Sequence, residues 1–370
     1  METVFGQPSF RIATPEVEAF VTQLGAQVAP ISFELNRVGT VHPFHIAPWT
    51  SEPEFADLPP IIRVLRGDFF CMPFGGSHTE FGVGGDPLHG ETANCEWTQI
   101  HHTASSITLR LDLTVRPGSV ERKLELKPEH RCIYTTETVS GISGPMTFGH
   151  HAMLRFDEDG LIATSPFALG EAFPGQFENP DEGGFSSLKP GARFTTLGSV
   201  PMADGGIADL TTYPAREGFE DLVMVVNDPN RPGFAWTAVT FPHRGYVWFC
   251  LKNPAVLAST VLWLSNGGRH YAPWNGRHKR VMGLEEVTSF FHAGLKASVE
   301  PNEIRDAGFK TFHELQAETP MVVHTVMGVA EVPHGFDHVA DIQPGGGGIV
   351  LTSKSGQTAM AVVDLSGLPV

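Results

Sequence analysis

An all-β fold, a sandwich or a barrel, is predicted by three features of this 370-residue chain. Ile107, Leu109, Leu111, Leu113 and Val115 alternate with Thr108, Arg110, Asp112 and Thr114, the period of two expected of a strand with one buried face. Arg116-Pro117-Gly118-Ser119 then turns the chain, and Val120, Leu124 and Leu126 alternate against Glu121, Lys123 and Glu125 to complete a hairpin. Six more segments, 131–138, 146–156, 234–241, 245–252, 258–265 and 279–288, are rich in Val, Thr, Phe, Tyr and Trp and are separated by Gly, Pro and Asn.

The remaining segments are less regular. Val17, Phe20, Val21 and Leu24 fit the i, i+3, i+4, i+7 spacing of a helix. The Gly/Pro-rich, acidic stretches 173–191 and 200–206 are expected to be long loops, a class often functional in compact domains. The region 301–318 is a short helix or a loop. After about residue 320, Met321 to Val326, Gly348 to Thr352 and Met360 to Val363 form strand-like runs broken by consecutive glycines, an expected added strand segment. No repeat or linker-like shift in composition divides the chain, so residues 1–370 are expected to form one domain.

Composition excludes several function classes. Hydrophobic residues make up 41% and charged ones 18%, a folded and not a disordered composition. The formal charge of −16 disfavours a nucleic-acid backbone or an anionic membrane surface and suits a neutral small molecule. The longest apolar runs, Val281 to Leu284 and Tyr246 to Leu251, fall far short of the roughly 20 residues a bilayer requires. Cys71, Cys95, Cys132 and Cys250 show no paired metal-ligand spacing, and the start lacks a basic-then-apolar signal, so a cytoplasmic protein without disulfides is expected.

Chemistry concentrates in three places. Pro87 to Trp97 contains Leu88-His89-Gly90 followed by Asn94; Phe148-Gly149-His150-His151-Ala152 carries a histidine pair; Met282-Gly283-Leu284-Glu285-Glu286 carries two carboxylates. Imidazole and carboxyl, with ordinary pKa values of about 6.5 and 4.3, need only modest shifts to exchange protons with a substrate near neutral pH.

The order of these motifs resembles the galactose mutarotase-like superfamily, aldose 1-epimerases and hexose-phosphate epimerases, over most of residues 20 to 290. Thr22-Gln23-Leu24-Gly25-Ala26-Gln27-Val28 is similar to that family's early strand, which places strands and not a helix there. Val120 to Leu126 is similar to the strand before its second histidine. The resemblance implies a large antiparallel β-sandwich with few short helices, and an isomerase that interconverts the anomers of a free sugar or sugar derivative. In that scheme Glu285 takes the proton of the anomeric hydroxyl, His151 protonates the ring oxygen, and His89 orients the sugar, with no metal and no cofactor. Asn94, His78, Arg66, Trp274 and His150 are the candidate substrate contacts. The oligomeric state is left open.

Competing readings accompany each residue. His89 by itself is a turn histidine; Gly90, Asn94 and Trp97 give it a functional context. His150 and His151 alternate faces on a strand, one inward and one out, with His151 the functional member. Glu285 among Val281, Met282, Leu284 and Val287 is either partnered or functional, whereas Glu286 points the other way as a solvated charge. Arg63, Arg66 and His78 serve equally as structural residues, and Trp274 as a packing residue. The family's arginine before the first histidine has no clear counterpart, and Met153-Leu154 replaces its aromatic pair; a phosphorylated sugar loses support with the missing cation. Two alternatives remain: a non-catalytic carbohydrate-binding protein on the same scaffold, and a cupin-like metal site built on His42-Pro43-Phe44-His45 or His101-His102.

Overall fold

Alternation of apolar and polar residues becomes pairing in the hairpin Ser106–Leu113 with Gly118–Leu126. The computed structural model describes residues 1–76 and 85–370, so His78 lies outside the described residues. The six other expected strands are present as Cys132–Ser140, Phe148–Arg155, Ala235–Phe241, Tyr246–Lys252, Ser259–Asn266 and Val281–Thr288. Val17–Thr22 is a strand, with Val17, Ala19 and Val21 buried on one face, so its helical spacing was coincidental. Phe219–Asn227, buried from its second residue to its last, is a strand the alternation did not reveal.

All of these strands except Val17–Thr22 belong to two large antiparallel sheets of nine and seven strands. In the seven-stranded sheet Phe219–Asn227, Ser259–Asn266, Val281–Thr288, Phe148–Arg155 and Phe70–Cys71 lie side by side in that order. The nine-stranded sheet packs against it through Leu109, Trp248, Cys250, Val323 and Met327, which meet Phe148, Leu154, Leu262 and Leu284 in one core. An N-terminal five-stranded sheet joins the same core through residues such as Ile12, Val21 and Phe33. Helices are few and short: Pro60–Val64, Gly90–Asn94, Gly294–Val299 and Glu303–Asp306, the last two flanking or within the region read as helix or loop. Among the described residues no helix is long and apolar enough to cross a membrane.

The chain after residue 320 divides in two. Met321–Glu331 is an interior strand of the nine-stranded sheet, between Tyr246–Lys252 and Cys132–Ser140, because its buried alternate residues complete that sheet's face. Only Val339–Gly345, Gly348–Ser353 and Thr358–Val362 form a separate three-stranded meander. Its Ile342, Ile349 and Leu351 cover Phe249, Leu251 and Val326 on the outer face of the large sheet.

Loops and short helices cover the outer face of the seven-stranded sheet, where Trp49, Ile61, Phe69 and Phe291 meet Met153, Val261 and Val287. The central strands of both large sheets are therefore covered on both faces, whereas Thr98–His102 and one face of Ser106–Leu113 at the edge of the larger sheet stay wetter. This corrects two sequence expectations. His150 does point away from His151, but both are buried. Glu286 is a fully buried carboxylate paired with Lys252 and accepting from Thr260 Oγ1 at 2.7 Å.

Candidate active site

His151 and Glu285 are directly opposed residues of neighbouring antiparallel strands, so their side chains emerge on the same face. His151 Nε2 lies 3.3 Å from Glu285 Oε1. The His151 N–H donates to Phe69 O (2.9 Å), and the Phe69 ring stacks on the imidazole with centroids 4.7 Å apart and planes 14° from parallel. Trp263 closes the opposite side edge-on at 5.8 Å.

His89 arrives from a loop and stands edge-on to His151 at 5.2 Å. It caps the short helix Gly90–Asn94 in the left-handed region (φ 60°), and Gly75 N–H donates to its Nδ1 at 3.3 Å, which leaves Nε2 as the ring's donor. Gly90 is required here: its φ is +77°, and a Cβ would lie 1.9 Å from Met72 O. The glycine that drew attention to His89 thus lets this loop press against the Met72 backbone.

The three residues and Trp274 line one cavity of about 120 Å³, together with Arg269, His292, Trp263 and apolar side chains including Ile61, Phe177 and Leu222. Its size is below the roughly 300–1,000 Å³ of clefts for drug-sized ligands, which suits a small one. Arg269 brings a guanidinium to the cavity wall. Its guanidinium lies over Trp274 at 4.5 Å and Trp263 at 5.2 Å, and its Nε donates to Glu178 Oε1 at 2.7 Å. Below them Glu220 accepts from Trp263 Nε1 (2.9 Å), Ser265 Oγ (3.0 Å) and Gly268 N (3.1 Å). Burial pushes this carboxyl up to about 7 even though Arg269 and Ser265 pull it down.

Burial dominates the electrostatics of the His151–Glu285 pair. It raises the Glu285 carboxyl well above its ordinary value, and it lowers His151 to about 4 with a smaller push from Arg269 against the pull of Asp68. Burial likewise holds His89 well below the ordinary range and His292 at about 4. Burial thus disfavours the charged form of both members of the pair.

Other expected contacts are placed elsewhere. Arg66 is fully buried, and its guanidinium donates to Val64 O, Val4 O and Phe5 O, each at 2.9 Å, so it ties down the N-terminal hairpin. Asn94 spends its amide on the backbone: Nδ2 donates to Leu88 O (2.7 Å) and Gly90 O (2.8 Å), and Oδ1 accepts from Ile61 N (3.2 Å). It joins two short helices and does not line the cavity. His150 faces the interior between the sheets, where burial disfavours its charge but Glu137 and Asp68 outweigh it and raise it to about 9. His45 packs edge-on against His278 at 4.7 Å, His42 pairs with Ser32, and His101 and His102 are exposed; no metal-holding group of three such side chains occurs among the described residues.

Arg269 and His292 were missed. Gly267-Gly268 before Arg269 was the available signal, since a Cβ on Gly268 would meet the Phe219–Glu220 backbone at 2.4 Å. His292 follows the end of the Val281–Thr288 strand in Phe290-Phe291-His292 and packs on Phe173 and Phe177.

No protein-family model and no curated protein matches the chain. Solved structures do. A candidate aldose 1-epimerase from Escherichia coli K12 superposes with a TM-score of 0.60 at 13% identity, over 88% of this chain and 100% of that one. A galactose mutarotase-like protein from Lactobacillus casei gives 0.56 at 14% identity over 87% and 100%. A galactose mutarotase related enzyme from Lactobacillus acidophilus gives 0.56 at 12% identity over 88% and 100%. At these identities the likeness speaks for architecture, and the chain has the galactose mutarotase-like β-sandwich fold.

Proposed function

We propose that this protein is an aldose 1-epimerase-like isomerase that interconverts the anomers of a small neutral sugar. The observation that carries this reading is the His151–Glu285 pair, 3.3 Å apart, buried, and facing an aromatic cavity beside His89. The reaction needs one group to accept a proton and one to give it. Glu285 takes the proton of the C1 hydroxyl, the O1 electrons form the carbonyl as the C1–O5 bond breaks, and His151 delivers a proton to O5. Rotation about C1–C2 and the reverse steps give the other anomer. His89 Nε2–H holds a sugar oxygen.

Sugar hydroxyls that donate to the Glu285 carboxylate stabilise its charged form, so binding favours transfer of the shared proton to His151 and arms the pair. The cavity's aromatic rings suit the apolar face of a pyranose. Its cation, Arg269, is already paired with Glu178, which supports a neutral sugar over a phosphorylated one. The facing geometry of Glu285 and His151 also favours an enzyme over a carbohydrate-binding protein that lacks activity.

The test is exchange between anomers, measured by NMR on a panel of reducing sugars with wild type and Glu285→Gln. Acceleration by the wild type and its loss in the variant supports the reading. Binding of a sugar with no acceleration by the wild type would identify a carbohydrate-binding protein instead.

A further inference from the structure

Behind the proton-transfer pair lies a second set of charges that the reaction does not use. Asp68 Oδ2 accepts from Arg122 Nη2 (2.8 Å) and from His150 Nδ1 (3.0 Å); His150 Nε2 meets Glu137 Oε2 (3.1 Å), and Arg122 Nε lies 3.4 Å from Glu137 Oε1. All four residues are buried between the two large sheets, with side-chain exposures of 0–3%. With His150 protonated the four charges cancel. Such clusters contribute little net stability against an apolar core of equal volume, because desolvation offsets attraction. Stability alone therefore gives a weak reason for this one.

Its place in the chain supplies another. Asp68 precedes Phe69, and His150 precedes His151. Phe69 and His151 stack on the cavity face of the seven-stranded sheet, while Asp68 and His150 pair on the interior face, so two adjacent dipeptides are joined on both sides. The His151 N–H bond to Phe69 O runs between them. We infer that the Asp68–His150 ion pair is a positioning device that holds the His151 ring against Phe69 at the distance from Glu285 needed for proton transfer. Asp68 also places a buried negative charge near His151 that favours the imidazolium the reaction requires. The other charged or titratable groups facing this cluster are Glu286 with Lys252, His324, Cys71 and Cys250. Glu286 and Lys252 pair with each other, and burial holds the two thiols neutral.

This inference rests on the proposed reaction, but its test has a readout that does not. Asp68→Asn and His150→Gln remove either half of the clamp, and Glu137→Gln removes a charge from the same cluster while keeping an acceptor for His150 and leaving the side chains of both dipeptides in place. Expected are a fall in kcat of up to about a hundredfold with KM within about twofold for Asp68→Asn and His150→Gln, and kcat near wild type for Glu137→Gln. In parallel, the imidazole resonances of His151, followed by NMR against pH, move in the first two variants and not in the third. The NMR comparison holds even if no sugar is turned over, so it separates failure of the clamp from failure of the reaction. Unchanged His151 resonances in a folded Asp68→Asn or His150→Gln protein, or equal kcat losses in all three variants, overturn it.

Discussion

His151 and Glu285 are cross-strand partners in the register that pairs Phe148–Arg155 with Val281–Thr288, and their neighbours His150 and Glu286 are partners on the other face. A slip of one residue in either strand would replace a residue facing the cavity by a buried charge of the interior face. The proposed chemistry is thus tied to register, which the apolar residues on both faces fix.

Replacing Glu285 by Gln is expected to slow anomer exchange by roughly 10²–10⁴-fold, the usual cost of losing a general base or acid. The same change should stabilise the fold at neutral and alkaline pH. Burial raises the carboxyl's folded value, so wild-type stability is lost as pH rises from the unfolded value through the folded one. Urea melts of both proteins at pH 5 and pH 8 check the sign: the variant should gain most at pH 8.

The kcat/KM profile should be bell-shaped because the active pair carries one proton. The sequence suggests an acid limb from the carboxylate and an alkaline limb from the imidazole. Burial of both groups inverts that expectation: the acid limb should come from His151, lowered to about 4, and the alkaline limb from Glu285, raised well above the ordinary carboxyl range. Infrared titration of the Glu285 carboxyl in the free enzyme, with Glu285→Gln as the blank, would detect a protonated acid well above pH 5. A carboxylate already ionised at pH 5 would refute the inversion.

His150 predicts a second pH dependence, in stability and not in rate. Its folded value is raised to about 9 against an unfolded 6.5, so its contribution is fully present below pH 6.5 and is lost as pH rises through 9. At about 1.4 kcal/mol per unit the upper bound is about 3 kcal/mol. Denaturant unfolding from pH 6 to pH 10 should show this fall, and His150→Gln should flatten it.

Arg269→Lys should raise KM by about tenfold and change kcat less. An ammonium keeps the charge but loses the planar stack on Trp274 and the directed bond to Glu178. Steady-state kinetics on the best substrate of the sugar panel would check this. An unchanged KM would place Arg269 outside the sugar's reach.

Strands whose residues alternate, such as Ser106–Leu113, were legible because one face of each is wetter than the other. Phe219–Asn227 was not, because a strand covered on both faces has no period to detect. Motif order singled out His89, His151 and Glu285 as candidates, and all three line one cavity. Arg66 and Asn94 misled because their polar atoms end on backbone carbonyls and amides, partners a sequence does not display. Arg269 and His292 come from loops after two central strands, and only the closing of those loops over the sheet makes them neighbours of His151.

The position of Met321–Glu331 inside the nine-stranded sheet sets a timetable for synthesis. Its neighbours Cys132–Ser140 and Tyr246–Lys252 leave the ribosome first, with facing edges that only this late strand can satisfy. Translation from residue 140 to residue 321, at roughly 5–20 residues per second, takes on the order of 10–40 s. Throughout that interval the edge of Cys132–Ser140 stands open to pairing with other chains, joined by the edge of Tyr246–Lys252 once that strand is made. Crowded, rapid expression should therefore favour aggregates in which a foreign strand occupies the vacant slot, and slower synthesis or chaperone cover should relieve them.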